Sequence, residues 1–341
     1  MNKENPKRHE KTRLRRFSWE GKATKDEKES LVEETVLEWY EAKHRKASEK
    51  EIVLINSIRV LACPYCAADK IVKNGHSSEG IQRYKCSICN GRFTALTGTI
   101  FDNRKIPISE WIEYLLHLFE FHSLNTSSFD NRNASSTGRY WLFKVFAVLK
   151  DIQDDVKLSG KVYLDELYLP VIKSETYKKE GGAGLNGLSR NKICICCAVD
   201  NNGNSLFMQS GRGKPSAEET WSAYWSHIKP GSTLIHDGEN SHTILIEHLK
   251  LNSIVYTTKD TKGLEDKDNP LDPINKRHAL LKRFIKMHGG YNRENMQDWL
   301  NLFWFIANGP EDKYDKVAKF IDMALKSNNV VRYRGSMKTN E

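Results

Sequence analysis

The sequence predicts a multidomain chain of mixed α+β and α/β class, with a small cysteine-bearing β module, then a helical region, then a mixed β-sheet with helices on both faces. Three observations carry that expectation. Two CxxC pairs stand a hairpin's length apart between Cys63 and Cys89, and helix-period apolar residues fill the region that follows. From Gly160 onward the pattern turns to strands, first in succession and then alternating with helices.

A chain of 341 residues is long for a single core and suggests several domains. Its formal net charge of +9 favours a polyanionic partner such as nucleic acid. No apolar segment follows the basic start, and no long apolar run occurs elsewhere, so the expectation is an intracellular, cytoplasmic protein. In that compartment the seven cysteines are expected as thiols or metal ligands rather than disulfides.

Residues 1–60 read as a basic arm with Arg13, Arg15 and Arg16, followed by amphipathic helices in which Leu31, Val32, Val36, Trp39 and Tyr40 recur at helical spacing. Residues 61–98 contain ACPYC and YKCSICNGRF. Cys63, Cys66, Cys86 and Cys89 can therefore sit on two tight knuckles and form a closed tetrahedral thiolate site, suited to one structural zinc ion. Two disulfides or a redox CxxC would compete with that reading, but the compartment and the doubled spacing oppose both.

Residues 99–155 are helical. Trp111, Leu115, Leu116, Leu118 and Phe119 form one apolar stripe, with Ser109 expected to cap its start. A short segment follows, then a longer one marked by Trp141, Leu142, Val145, Phe146, Val148 and Leu149. This is the outline of a helix-turn-helix, with Ser135, Ser136, Thr137 and Arg139 at the leading end of the candidate recognition helix and Lys144 further along it. An ordinary three-helix bundle has the same outline.

Residues 156–310 begin with KVYLDELYLP, an apolar strand interrupted by Asp165 and Glu166. A buried carboxylate is costly unless it holds a cation or a proton, which makes Asp165 a candidate site residue; a solvated edge strand is the plainer alternative. Strand alternation points Glu166 to the opposite face. KICICCAVD and SLFMQS complete an antiparallel meander around an Asn-Asn-Gly turn, with Cys194, Cys196 and Cys197 expected as small core residues. Gly182, Gly184 and Gly187 match GxGxxG, but a strand follows them, which argues against a dinucleotide site. Helix and strand signals then alternate, and Asp237 falls at the carboxyl end of its strand, where open sheets place their sites. In DPINKRHALLKRFIKMHGG, Asp272 is the expected N-cap, Pro273 the first helical residue, and Gly289 and Gly290 the stop. Asn275, His278 and Lys282 share one edge of that helix. A further amphipathic helix follows, and residues 311–341 read as a charged tail.

The order CPYC, CSIC, helix-turn-helix, LDELY, HDGEN and INKRHALLKRF, over residues 61–308, resembles the bacterial insertion-sequence transposases that join a zinc ribbon to an RNase H-like DDE catalytic domain. It is similar in particular to the lineage with asparagine as the third member, followed by lysine. The resemblance implies catalytic roles for Asp165, Asp237, Asn275 and Lys282, with His278 in the same motif as an auxiliary candidate; Asp272 and Glu239 are auxiliary candidates for supplying the charge that Asn275 lacks. Two Mg²⁺ or Mn²⁺ ions would be held by Asp165, Asp237 and Asn275. The implied partner is double-stranded DNA, both element ends and target, bound by a homodimer or larger assembly in the bacterial nucleoid. Because Asn275 offers only a neutral oxygen, the rival expectation is a repurposed, non-catalytic DNA-binding regulator.

Overall fold

The computed structural model describes residues 47–328 and 330–332, apart from 105, 131–132, 172–174, 179–184, 186 and 289–295. The basic arm, most of the helical segment before residue 47, Gly182 and Gly184 of the glycine loop, and the Gly289–Gly290 stop lie outside the described residues.

Helix α1 (Glu49–Ser57) starts on Ser48, whose hydroxyl accepts from the Glu51 N–H at 3.2 Å. Strands β1 (Ile71–His76), β2 (Gln82–Cys86) and β3 (Arg92–Thr94) form a three-stranded antiparallel sheet around the cysteines. Tyr84 and Phe93 stack across β2 and β3 at 5.8 Å.

Helix α2 (Ile108–Phe119) is capped differently from the sequence expectation. Its N-cap is Pro107, which has no side-chain acceptor, and Ser109 lies inside the first turn. The Glu51 carboxylate of α1 supplies the cap from far away in sequence, accepting from Ile108 N–H at 2.9 Å and Ser109 N–H at 3.3 Å. Arg104 closes the arrangement at 3.2 Å, with both side chains buried. Helices α3 (Leu124–Asp130) and α4 (Ser135–Leu149) follow. They approach so closely that a Cβ at Gly138 would fall 1.8 Å from Ser128 Oγ.

Strands β4 (Lys161–Pro170), β5 (Lys192–Asp200), β6 (Ser205–Arg212), β7 (Thr233–His236) and β8 (Asn252–Val255) form one sheet in the order β6-β5-β4-β7-β8. The first three are an antiparallel meander; β7 and β8 run parallel to β4. Between them come α5 (Ala217–Tyr224), opened by a Ser216/Glu219 capping box, and α6 (Thr243–Leu249). After the one-turn α7 (Thr258–Thr261) come α8 (Asp272–Met287), α9 (Met296–Asn308) and α10 (Lys313–Lys326).

Strand alternation divides the core in two. Val162, Leu164, Cys194, Cys196 and Leu206 pack with Tyr224 and Leu245 on one face. Leu167, Leu169, Ile195, Cys197 and Phe207 pack on the other, in a core continuous with Trp111, Trp141, Phe284 and Phe303. The three cysteines of β5 are thus buried core residues.

Three boundaries differ from the sequence expectation. Leu271, not Asp272, is the N-cap of α8; Asp272 is its first residue and pairs with Lys276 one turn on. The stretch read as a charged tail contains α10, which buries Val317, Phe320, Ile321 and Ala324. Those positions follow an i, i+3, i+4, i+7 spacing that the surrounding charge obscures, and Phe320 meets Phe119 of α2 at 6.1 Å. The division at residue 155 is not a packing boundary either, since α4 and α9 share one core through Phe146 and Trp299, 5.2 Å apart.

Glu51 therefore joins α1, Arg104 and α2. Glu51→Ala is expected to cost about 3 kcal/mol in urea unfolding, by removing the cap of α2 and leaving the buried Arg104 with only the more exposed Glu79 as a partner, at 3.4 Å. Glu51→Gln retains an acceptor and should recover part of that loss.

Candidate metal centre and active site

The ribbon cysteines form two matching knuckles. Cys63 Sγ accepts from Tyr65 N–H and Cys86 Sγ from Ile88 N–H, each at 3.4 Å. Ala67 and Asn90, each following the second cysteine of its pair, both turn back at φ +58°. The two pairs face each other, with Cys63 Sγ 3.6 Å from Cys89 Sγ and Cys66 Sγ 3.7 Å from Cys86 Sγ. Ligand atoms bonded to zinc at about 2.3 Å stand roughly 3.8 Å apart in a tetrahedron, so the four sulfurs fit that ion. The Cys86 thiol is drawn down to about 7, first by the Cys89 N–H, against the opposing effect of burial.

The second site lies at the carboxyl end of two neighbouring strands. Tyr163 of β4 is in register with Ile235 of β7, so two residues further on Asp165 and Asp237 come side by side, just beyond the last β7 residue. Asp165 is on the face covered by α8, where His278 Nδ1 stands 3.6 Å from its Oδ2. Burial, then the charges of Glu166 and Asp237, push the Asp165 carboxyl up to about 7. His278 is drawn down to about 4 by burial and then by Lys282, which leaves it neutral near pH 7. Asn275 and Lys282 are exposed on the same helix. The reserve carboxylates are committed elsewhere: Asp272 to Lys276 at 2.6 Å, and Glu239 to Lys214 at 2.7 Å. Two hard-oxygen donors on adjacent strand ends, one of them resisting ionisation, suit a divalent cation such as Mg²⁺.

Sequence reasoning missed what lies behind this pair. Glu166, on the opposite face of β4, meets His242 Nε2 at 3.0 Å, with both side chains buried. His242 Nδ1 is 2.9 Å from His236 Nδ1, and His236 Nε2 is 3.0 Å from Ser253 Oγ of β8. His236 Nδ1 also accepts from Gly238 N–H at 3.3 Å, so the network assigns its proton to Nε2 and requires His242 to donate from Nδ1. His236 is drawn down to about 4 by burial and then by His242, consistent with a neutral ring. This chain fixes both ends of the turn that carries Asp237. Within the turn, Asp237 Oδ1 accepts from Glu239 N–H at 3.0 Å, and Gly238 takes φ +91° with Val255 2.9 Å from where a Cβ would stand. The signal present in the sequence was the pair of histidines flanking the acid in HDGENSH.

On the helical region, Ser135, Ser136 and Arg139 are exposed and Thr137 half-buried, at the start of α4. Lys144 departs from the expectation of a DNA contact. It is 6 % exposed, donates to the Ile100 carbonyl, and lies 4.7 Å over the Tyr140 ring, because its helix position faces α2 rather than solvent. Burial draws its ammonium down to about 8. Among the described residues, no helix is long and apolar enough to cross a membrane.

Comparison with known proteins gives one match by family and several by structure. A family model for the InsA N-terminal domain, a zinc ribbon, matches residues 57–90. No curated protein matches the chain. Among solved structures, the catalytic domain of Mos1 mariner transposase is similar at 12 % identity and a TM-score of 0.29, covering 59 % of this chain and 91 % of that one. The Mos1 paired end complex with Mn is similar at 12 % identity and a TM-score of 0.28, covering 67 % of this chain and 77 % of that one. A Mos1 pre-cleavage transpososome gives 11 % identity and a TM-score of 0.25, with the same coverages.

Two outcomes follow from the buried polar groups. His242→Ala, which leaves Glu166 buried without a partner, should cost about 3 kcal/mol in urea unfolding, and adding Glu166→Gln should recover more than half of it. For Lys144, the folded protein holds its proton less tightly than the unfolded chain, which binds it up to the ordinary lysine range. Stability should therefore rise by about 2 kcal/mol between pH 8 and 10.5, a rise that Lys144→Met flattens.

Proposed function

We propose that this chain is a DNA transposase of the DDE type, in its Asp-Asp-Asn-Lys variant, which binds the ends of its own element and cleaves and joins DNA strands in a metal-dependent reaction. The observation that carries the reading is the meeting of Asp165 and Asp237 at adjacent strand ends, in a chain whose ribbon matches a family model for the InsA N-terminal domain. In this reading Asp165, Asp237 and the Asn275 carbonyl hold Mg²⁺ or Mn²⁺, and the ribbon holds a structural Zn²⁺. When bound, two such cations supply Lewis-acid activation of water or a 3′-hydroxyl and neutralise the leaving oxygen.

The protein's own groups divide the remaining work. Lys282, exposed one helical turn from His278, is suited to hold a DNA phosphate as a point charge. Neutral His278 can take a hydrogen bond or a proton beside Asp165 without adding charge. The Glu166–His242–His236 chain keeps Asp237 in place from behind. Ser135, Ser136, Thr137 and Arg139, together with the ribbon, recognise the element ends, and a homodimer or larger assembly brings two ends together. One observation favours the rival reading, a repurposed regulator that binds DNA without cutting it: Asn275 is neutral and exposed.

The test uses labelled duplex carrying the terminal sequences of the encoding element, with Mg²⁺ or Mn²⁺. Wild type should nick and join strands, whereas Asp165→Asn should bind the duplex equally well and give only background products. Equal inactivity of the two, with binding intact, would overturn the enzyme reading and favour the regulator. Asn275→Glu, which restores a third carboxylate, should preserve or raise metal-dependent turnover and lower the Mg²⁺ concentration needed for half-maximal rate.

A further inference from the structure

A separate group of metal-type ligands lies where α2 gives way to α3. His117 is on the last turn of α2, His122 just beyond it, and Asp130 is the final residue of α3. One donor atom from each falls within 4.8 Å of the others. The two imidazoles stack at 4.9 Å with 28° between their planes, and His117 Nδ1 is 3.6 Å from Asp130 Oδ2.

The backbone brings these rings together at a cost. Phe121 adopts φ +65°, a conformation unfavourable for a bulky residue. It closes a helix-terminating turn in which His122 N–H donates to the His117 carbonyl at 3.0 Å and Phe121 N–H to the Leu118 carbonyl at 3.2 Å. That turn seats the ring of His122 over that of His117. Both Nδ1 atoms are then buried without a hydrogen-bond partner. Neither nitrogen makes a hydrogen bond to Asp130, His117 Nδ1 standing at 3.6 Å, and an unpartnered buried nitrogen is costly. A cation between the three donors would satisfy all of them.

We propose that His117 Nδ1, His122 Nδ1 and Asp130 form a zinc site that clamps the end of α2 to the end of α3. Two imidazole nitrogens, a carboxylate oxygen and one water make a four-coordinate set of the kind zinc accepts. Bonds of about 2.1 Å would space the donors at roughly 3.4 Å, so a small side-chain rotation closes the present cluster onto an ion. The clamp would fix the turn at Phe121, and with it the angle at which α3 presents the start of α4.

Full-length protein, loaded with zinc in excess Mg²⁺ and desalted, should carry about two zinc ions per chain, against about one in His117→Gln/His122→Gln. Zinc X-ray absorption of the wild type should show an average of about two sulfur and two nitrogen or oxygen neighbours, becoming all-sulfur in that variant. One zinc with an all-sulfur shell in saturated wild type would overturn the proposal, and it decides the matter even where the double variant fails to fold. So would loss of the second zinc in His236→Gln with His117 and His122 intact, since that would place the ion beside Asp237 and His242.

Discussion

The parallel pairing of β4 with β7 is the constraint on which the candidate active site depends. It aligns Tyr163 with Ile235, and the same register two residues further on sets Asp165 beside Asp237. Alternation along β4 then gives its two consecutive carboxylates opposite duties. Asp165 faces α8, while Glu166 turns to the far side and meets His242. A one-residue slip of β4 would turn each of them to the other face, taking Asp165 away from α8 and Glu166 away from His242. Register is therefore held from both faces, by apolar packing on one and by the Glu166–His242–His236–Ser253 chain on the other.

The helical region is held by equally long-range contacts. Helix α2 has no cap of its own and takes one from Glu51, more than fifty residues earlier. At its other end, Phe119 packs against Phe305 of α9 and Phe320 of α10. Gln153, just after α4, exchanges hydrogen bonds with the Phe207 backbone of β6 and meets Asn301 of α9 at 2.8 Å. The order of motifs in the chain suggests separate modules, yet the helical region and one face of the sheet share one apolar core. An event at the start of α4 is thus mechanically connected to the sheet through packed side chains.

What could be read from the sequence is what local chemistry determines. The paired CxxC motifs, the three-strand meander around Asn-Asn-Gly and the strand-to-Asp237 transition each rest on a few neighbouring residues. The cap of α2 could not be read, because Glu51 reaches it only through tertiary structure. Lys144 looked like a surface cation because lysine is rarely buried; only the side of α4 that faces Trp111 and Ile100 shows otherwise. Helix α10 was concealed by its own charge, although its apolar spacing was there to be counted. His236 and His242 were visible as residues but not as partners of Glu166, since a contact seventy-six positions away has no local signature.

Three of the donor sets among the described residues differ in hardness, and that difference sorts the cations they prefer. Four thiolates are soft and closed, which selects zinc and excludes Mg²⁺. Asp165 and Asp237 offer hard oxygen at the carboxyl ends of adjacent strands, which suits Mg²⁺. The His117, His122 and Asp130 group lies between these extremes, with borderline nitrogen and a single charge. Zinc added in excess would fill the thiolates and then the imidazoles before competing at the carboxylates. A cation that loads the carboxylate pair must therefore be hard and abundant, since His278 beside Asp165 and His236 and His242 beside Asp237 also offer nitrogen to a softer ion.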